Sequence, residues 1–418
     1  MKAIVVGAGL AGLVTARTLH RAGWEVVILE ASDGIGGRVR TDVVDGFRLD
    51  RGFQVLFTAY PAAKRQLDLK ALKLRPFDSG AIIVEGQRWN EIGDPLQDPK
   101  ALFPTMLSTV GLLSDKLKVL RLRRELKGQS IGRMEDVSSI EFLRAYGFSE
   151  RFIELFLRGF FGSIFLDRTL STSSRCLLFD FKMLVEGRAA VPCDGMQAIP
   201  DQIAVELPAE AIRLSTPALR LEFAEPSSAV GRVVGVQTSE QSIEADIVVL
   251  AAHSPEVERL SGLDMPKDAN STTCLYFHLP HPLYGNKKIV LNAYPDAFVS
   301  HAVQITNVAP SYAPAPEHLL SATILGAPDL GLEQLAQRAL ADMQRWFPWR
   351  GIGGLRPLAA YQAPFAQLAQ PPGFRAARPH NRTAIKGLYL AGEYTEASSI
   401  NGAMVSGEKA ARAILEGA

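Results

Sequence analysis

Gly7, Gly9 and Gly12 stand at G-x-G-x-x-G spacing directly after a short β-branched run, and a lone acid, Glu30, closes the next apolar run. Residues of these types in this order are suited to holding a pyrophosphate and a ribose. Gly7 permits the tight turn out of a strand, Gly9 lets a pyrophosphate approach the main chain, and Gly12 lets the following helix pack closely on the sheet. The start of that helix, at Leu10 and Ala11, offers unpaired N–H groups and the positive end of a dipole to phosphate. Glu30, with Ala31 beside it, is placed to accept hydrogen bonds from an adenosine ribose. Next comes Gly34-Ile35-Gly36-Gly37-Arg38-Val39-Arg40-Thr41. Its paired glycines, Gly36 and Gly37, allow backbone to lie close to a ligand, and Arg38 supplies a guanidinium suited to phosphate oxygens.

The elements that must position these residues are legible around them. Ala3–Val6 reads as a buried parallel strand, Leu10 to Arg21 as a helix with one apolar face, and Glu25–Leu29 as a second strand. Residues Pro95 to Leu126 and Ser138 to Leu157 repeat apolar positions every three or four residues and predict helices. Strands are expected over Ile212 to Phe223, Val233 to Thr238 and Ile247 to Leu250. Residues 264 to about 370 read as short strands with one helix, Leu332 to Phe347. Gly387–Glu393 reads as a last buried strand ending in glycine and an acid. Ser398-Ser399-Ile400-Asn401-Gly402-Ala403-Met404 then opens a helix running from Val405 to Leu415. A carboxylate at Glu393 can bind ribityl or pyrophosphate-linked hydroxyls, and the dipole of the following helix favours negative charge at its start.

The stretch from Val5 to Thr41 resembles the signature of the flavin amine oxidase, carotenoid desaturase and protoporphyrinogen oxidase superfamily. In that group, an acid followed shortly by a GGRxRT stretch marks FAD rather than a nicotinamide cofactor. Phe47-Arg48-Leu49-Asp50-Arg51-Gly52-Phe53 resembles the segment that runs beneath the flavin, and Val191 to Pro200 resembles the return of the chain to the cofactor lobe. The resemblance implies an α/β fold. A Rossmann-type FAD-binding part would be assembled from residues 1–57, 191–263 and 381–418, with a mainly helical substrate insertion at 58–190 and a mixed-sheet substrate part at 264–380. It also implies non-covalent FAD and adds Gly52, Phe53, Gln54, Ala218, Ala251, Gly392, Ser399, Ile400, Asn401 and Ala403 to the cofactor contacts. Ala218 would meet the adenine, and the final helix would face the flavin N1–C2=O edge.

In such proteins the flavin takes hydride at N5 while the protein orients the partners and excludes water. Amine oxidases carry a lysine in the strand before the substrate wall, but the matching stretch here, Ser271 to Phe277, has none. Their aromatic residue in the final motif is replaced by Ser399, Ile400 and Asn401. Both departures favour a desaturase-like oxidation of a small apolar, isoprenoid-like substrate, with oxygen or a quinone as electron acceptor. A peroxide-releasing amine oxidase is the alternative, and a catalytically silent flavin-binding protein is a third reading. Arg51, Gln54, His253 and Tyr276 are candidates for the flavin face; no residue is assigned catalysis.

Bulk properties limit the remaining classes. A net charge of +1 over 418 residues argues against nucleic-acid binding. Three widely spaced cysteines, with no CxxC pair, suggest neither a disulfide framework nor a metal site. They fit a reducing, cytoplasmic setting. The chain enters its first strand at once, so no leader is expected, and its apolar runs are too short to span a bilayer. Leu112 to Lys127 combines leucines on one face with six basic residues, which suits either a solvated helix or contact with an anionic membrane.

Overall fold

The computed structural model describes residues 1–86, 88–98, 105–106, 108–224, 231–294, 297–348 and 352–417. The β-branched run expected at the start forms the strand Lys2–Val6, central to a five-stranded parallel sheet. Its neighbours are Glu25–Leu29 on one side and Ile247–Leu250 on the other. Ile212–Arg213 and Leu388–Leu390 complete the edges. Both faces are covered, which is why these runs are apolar without alternation. Ala3, Val5 and Ile28 pack under the helices Leu10–Arg21 and Ile400–Leu415. Ile4, Val27 and Leu250 pack instead against a three-stranded antiparallel sheet carrying Leu221, Val236 and Ile243.

The two helices on the first face lie very close. A Cβ on Gly407 would sit 2.5 Å from the Ala11 carbonyl oxygen, so the N-terminal and C-terminal helices meet backbone to backbone. This contact places the final motif beside the first glycine loop.

A second, seven-stranded mixed sheet runs in the order Arg356–Leu368, Ala269–Leu279, His318–Leu325, His301–Gln304, Ile289–Asn292, Ala81–Glu85 and Arg88–Ile92. Two of its strands span 11 and 13 residues and are not the short strands expected. The hairpin formed by its last two strands lies within the insertion expected to be mainly helical. Helix Leu332–Trp346 covers one face of this sheet through Leu335, Ala339 and Met343. The opposite face looks inward.

The helical insertion departs from expectation in its breaks. The helix expected over Ser138 to Leu157 is cut after Ala145 by Gly147, at φ +91°, and restarts under a Ser149 cap. It then runs through a π-turn at Ile153–Leu157 to Phe165. Of the helix expected over Pro95 to Leu126, residues 99–104 and 107 lie outside the described residues, and the helix found is Leu113–Leu126. The strand expected over Ile212 to Phe223 is two strands in different sheets, separated by Ser215 at φ +50° and by Pro217.

Candidate active site

One cavity of about 2550 Å³ runs between the parallel sheet, the second sheet and the helical insertion. That exceeds the ~300–1,000 Å³ of a single small-ligand pocket, leaving space for a dinucleotide and a second molecule together. Of the residues expected to hold the cofactor, every one except Gly12 lines this cavity.

At the dinucleotide end, Gly9 caps the helix Leu10–Arg21, and a Cβ added there would meet no protein atom within 4 Å. The cradle is open where a ligand would approach. Gly12 lies behind it, not on the cavity wall. Its Cβ would stand 2.0 Å from the Gly7 carbonyl oxygen, so its role is helix–strand packing and not ligand contact. Gly36 donates its N–H to the Ala8 carbonyl at 2.8 Å, laying the Gly36-Gly37 turn over the first loop. The Glu30 carboxylate accepts from the Ala8 N–H at 2.7 Å and from the Ser32 N–H at 2.9 Å. Main-chain donors thus hold it at the end of its strand, with lone pairs left over for hydroxyls. Ala31 flanks it on the cavity wall.

Arg38 donates to the Ala366 carbonyl at 2.8 Å and pairs with the buried Glu393 at 2.6 Å. The guanidinium expected on phosphate is therefore shared with the acid of the final motif, which Ser398 also hydrogen-bonds. Gly392 donates to Ser406 Oγ at 2.7 Å, fixing the turn into that motif. Ser399 caps the final helix by accepting from the Gly402 N–H at 2.9 Å. Asn401, expected to touch the cofactor, accepts from the Ala62 N–H at 3.0 Å and so ties the helix Pro61–Gln66 to the final helix. Ile400 and Ala403 face the cavity from the first turn. Ala251 donates to the Val6 carbonyl at 2.7 Å and closes the strand end. The Ala218 carbonyl accepts from Arg259 at 2.8 Å.

The 52–54 segment marks where the dinucleotide end meets the rest of the cavity. Gly52, Phe53 and Gln54 line it, and Gln54 donates to the Arg38 carbonyl at 2.7 Å. Its Oε1 is buried without a partner, as an acceptor awaiting a ligand donor would be. The open Gly9 cradle, the two carboxylates and this orphaned oxygen together fit FAD.

Of the four candidates for the flavin face, Arg51 is clamped by Asp42 through Nε at 3.0 Å and Nη2 at 2.9 Å. His253 lines the cavity at the start of helix Ser254–Ser261, its ring 5.9 Å from Phe365. Tyr276 is withdrawn from the cavity: its hydroxyl donates to the Asp50 carbonyl at 2.8 Å. Asp50 itself is buried, accepting from Tyr312 at 3.0 Å and from the Met196 N–H at 2.9 Å. Burial pushes its carboxyl up to about 6. This carboxyl joins three distant segments and acts as an anchor.

The helical insertion adds an aromatic stretch to the wall. Phe152, Phe156, Phe160, Phe161 and Phe165 form a run of ring contacts along the restarted helix, with centroids 5.4–6.0 Å apart, and all five line the cavity. Within Ser271 to Phe277 only Thr272 lines the cavity, while Thr273 donates to the Gly326 carbonyl. Lys288 lies elsewhere, buried and paired with Glu91. No lysine occupies the cavity-facing position of this strand.

Along residues 10–415 the sequence matches the profile of the family described as flavin containing amine oxidoreductase. The chain belongs to that family. Its cofactor is FAD, and it is an FAD-dependent oxidoreductase. As a member of the flavin-containing amine oxidoreductases it is similar to two kinds of relative. A probable zeta-carotene desaturase of Synechococcus elongatus is 24% identical, with 100% of this chain and 99% of that protein covered. A putrescine oxidase of Kocuria rosea is 27% identical, with 62% and 58% covered. In fold it resembles an oxidoreductase from Methanosarcina mazei, with a TM-score of 0.75 at 19% identity, covering 100% of both chains.

Several site residues went unread in the sequence. Asp180 lines the cavity from the helix Ser174–Glu186, and burial pushes its carboxyl up to about 7. Tyr60 stacks on Phe179 at 6.1 Å nearby. His301 and Thr323 line the inner sheet face. Nothing in their local sequence marks them, because strand pairing brings them to the cavity.

Proposed function

We propose that this protein dehydrogenates a small, largely apolar, isoprenoid-like molecule. The observation that carries the reading is the run of phenylalanines from Phe152 to Phe165 that lines the cavity, with no lysine in the stretch Ser271 to Phe277. Bound FAD supplies hydride acceptance at N5. The chain's own residues orient and exclude. The phenylalanine run holds an apolar chain by burial, worth roughly 25 cal/mol per Å² of apolar surface removed from water. Phe53 flanks the substrate space from the 52–54 segment, and the apolar side chains around that space exclude water from it. The start of helix Ile400–Leu415 lies on the cavity wall, where its positive end would favour the negative charge of reduced flavin. Oxygen or a quinone would then take the electrons.

We also infer a peripheral membrane contact at the cavity mouth. Leu113 and Leu117 are 66% and 57% exposed, and they line the mouth together with Lys116, Arg123, Arg124 and Lys127. A leucine ridge rimmed by cations suits an anionic bilayer surface and entry of a lipid-soluble substrate. No helix among the described residues is long and apolar enough to cross a membrane.

The amine oxidase alternative rests on Asp180, a carboxyl in the cavity wall able to pair with an ammonium group. Aerobic incubation with isoprenoids and, separately, with polyamines decides between the two. Product lacking two hydrogens from the isoprenoid supports dehydrogenation; aldehyde and peroxide from the polyamine alone would replace it.

A further inference from the structure

On the inward face of the second sheet, His301 and Thr323 stand directly opposite each other across antiparallel strands, with Cys274 next in the same row. Both line the cavity, and each is only 2% exposed. Neither ring nitrogen of His301 has a hydrogen-bond partner, nor has Thr323 Oγ1. Neighbours on this face do find partners: Cys274 Sγ lies 3.2 Å from Ser321 Oγ, and Thr272 donates to the Ile324 carbonyl at 3.0 Å. The unpaired atoms are thus a local feature of this pair and not of the whole face. Buried polar groups left unpaired are costly, and native structures hold few of them.

The pair adjoins the 52–54 segment. The His301 ring contacts the Phe53 ring at 5.1 Å, and Phe53 belongs to the 52–54 segment. Leu291, opposite His301 on the other side, continues the apolar wall. Burial and the nearby Arg168 charge push the imidazole down to about 3, so it stays neutral. A neutral imidazole offers one N–H donor and one acceptor, and a threonine hydroxyl offers both.

We propose that His301 and Thr323 form a recognition site for a single hydroxyl or carbonyl oxygen on an otherwise apolar substrate. A pure hydrocarbon would leave all three polar atoms unpaired, whereas one oxygen function accepts from the imidazole and engages the threonine. The site therefore selects oxygenated isoprenoid-like molecules over hydrocarbons. This rests on the apolar-substrate reading above.

The test uses the FAD-loaded protein and the perturbation of its flavin spectrum on titration with farnesol and with its hydrocarbon counterpart farnesene. Farnesol is expected to bind roughly tenfold more tightly. Thr323→Val and His301→Phe should each bring that ratio toward one, with FAD content and farnesene affinity retained. If His301→Phe is recovered without FAD, the near-isosteric Thr323→Val decides the matter. Equal affinities in the wild-type protein, or a preference surviving in the variants, would overturn the recognition site alone. Binding of neither compound would overturn the apolar-substrate reading and this site with it.

Discussion

The Arg38 guanidinium and the Glu393 carboxylate, from opposite ends of the chain, meet at 2.6 Å on the wall of the dinucleotide cradle. Glu393 is buried and Arg38 is partly exposed, so the pair is anchored from the acid's side. Glu393 itself lines the cavity, so removing it takes away an acceptor that faces the cofactor. Glu393→Ala is therefore expected to weaken FAD binding by tenfold or more, read by fluorescence titration of the apoprotein. Unchanged affinity would remove Glu393 from the cofactor site.

Gly9 and Gly12 separate binding from folding. A Cβ at position 9 enters open space, whereas at position 12 it collides with the Gly7 carbonyl oxygen at 2.0 Å. Gly9→Ala should keep the melting temperature of the apoprotein while losing FAD. Gly12→Val should destabilise the fold itself, by roughly 1–3 kcal/mol or more from overpacking. Calorimetry of both apoproteins checks the contrast, and equal destabilisation would refute it.

Asp180 makes stability depend on pH. Burial pushes its carboxyl up to about 7 in the native chain, against about 3.9 when unfolded. The native state keeps its proton where the unfolded state has lost it. Its contribution to stability is complete below pH ~4 and is lost as pH rises to about 7. Asp180→Asn should therefore gain on the wild type between pH 4 and 8, by roughly 2–4 kcal/mol. A pH-independent difference in denaturant midpoints would show that the carboxyl is solvated.

The three free cysteines are Cys176, Cys193 and Cys274, none of them within the final motif. Heat-precipitated protein should release its flavin into the supernatant. Flavin retained in the washed pellet would mean a covalent link.

Both ends of the fold were legible because their signals are local. A buried parallel strand is a contiguous apolar run, and the Gly7–Gly12 and Gly36–Gly37 loops follow such runs directly. Glu30 could likewise be placed by counting. What escaped depends on distant partners. Tyr276 sits in a strand longer than expected, and the Asp50 carbonyl draws its hydroxyl away from the cavity. Asn401 lines the cavity within the expected motif, and its further contact with the Ala62 amide could not be read locally. His301, within the run His-Ala-Val-Gln, reads as ordinary core until the pairing with His318–Leu325 turns it toward the cavity. Gly147, a single residue, was enough to break a helix whose apolar periodicity continues past it.

Anaerobic mixing of the FAD-loaded protein with isoprenoid alcohols, and in parallel with putrescine and aromatic amines, followed at the oxidised flavin band, bears most directly on what this cavity does. Bleaching by an isoprenoid and none by the amines is the predicted result. Bleaching by amines alone would contradict the account.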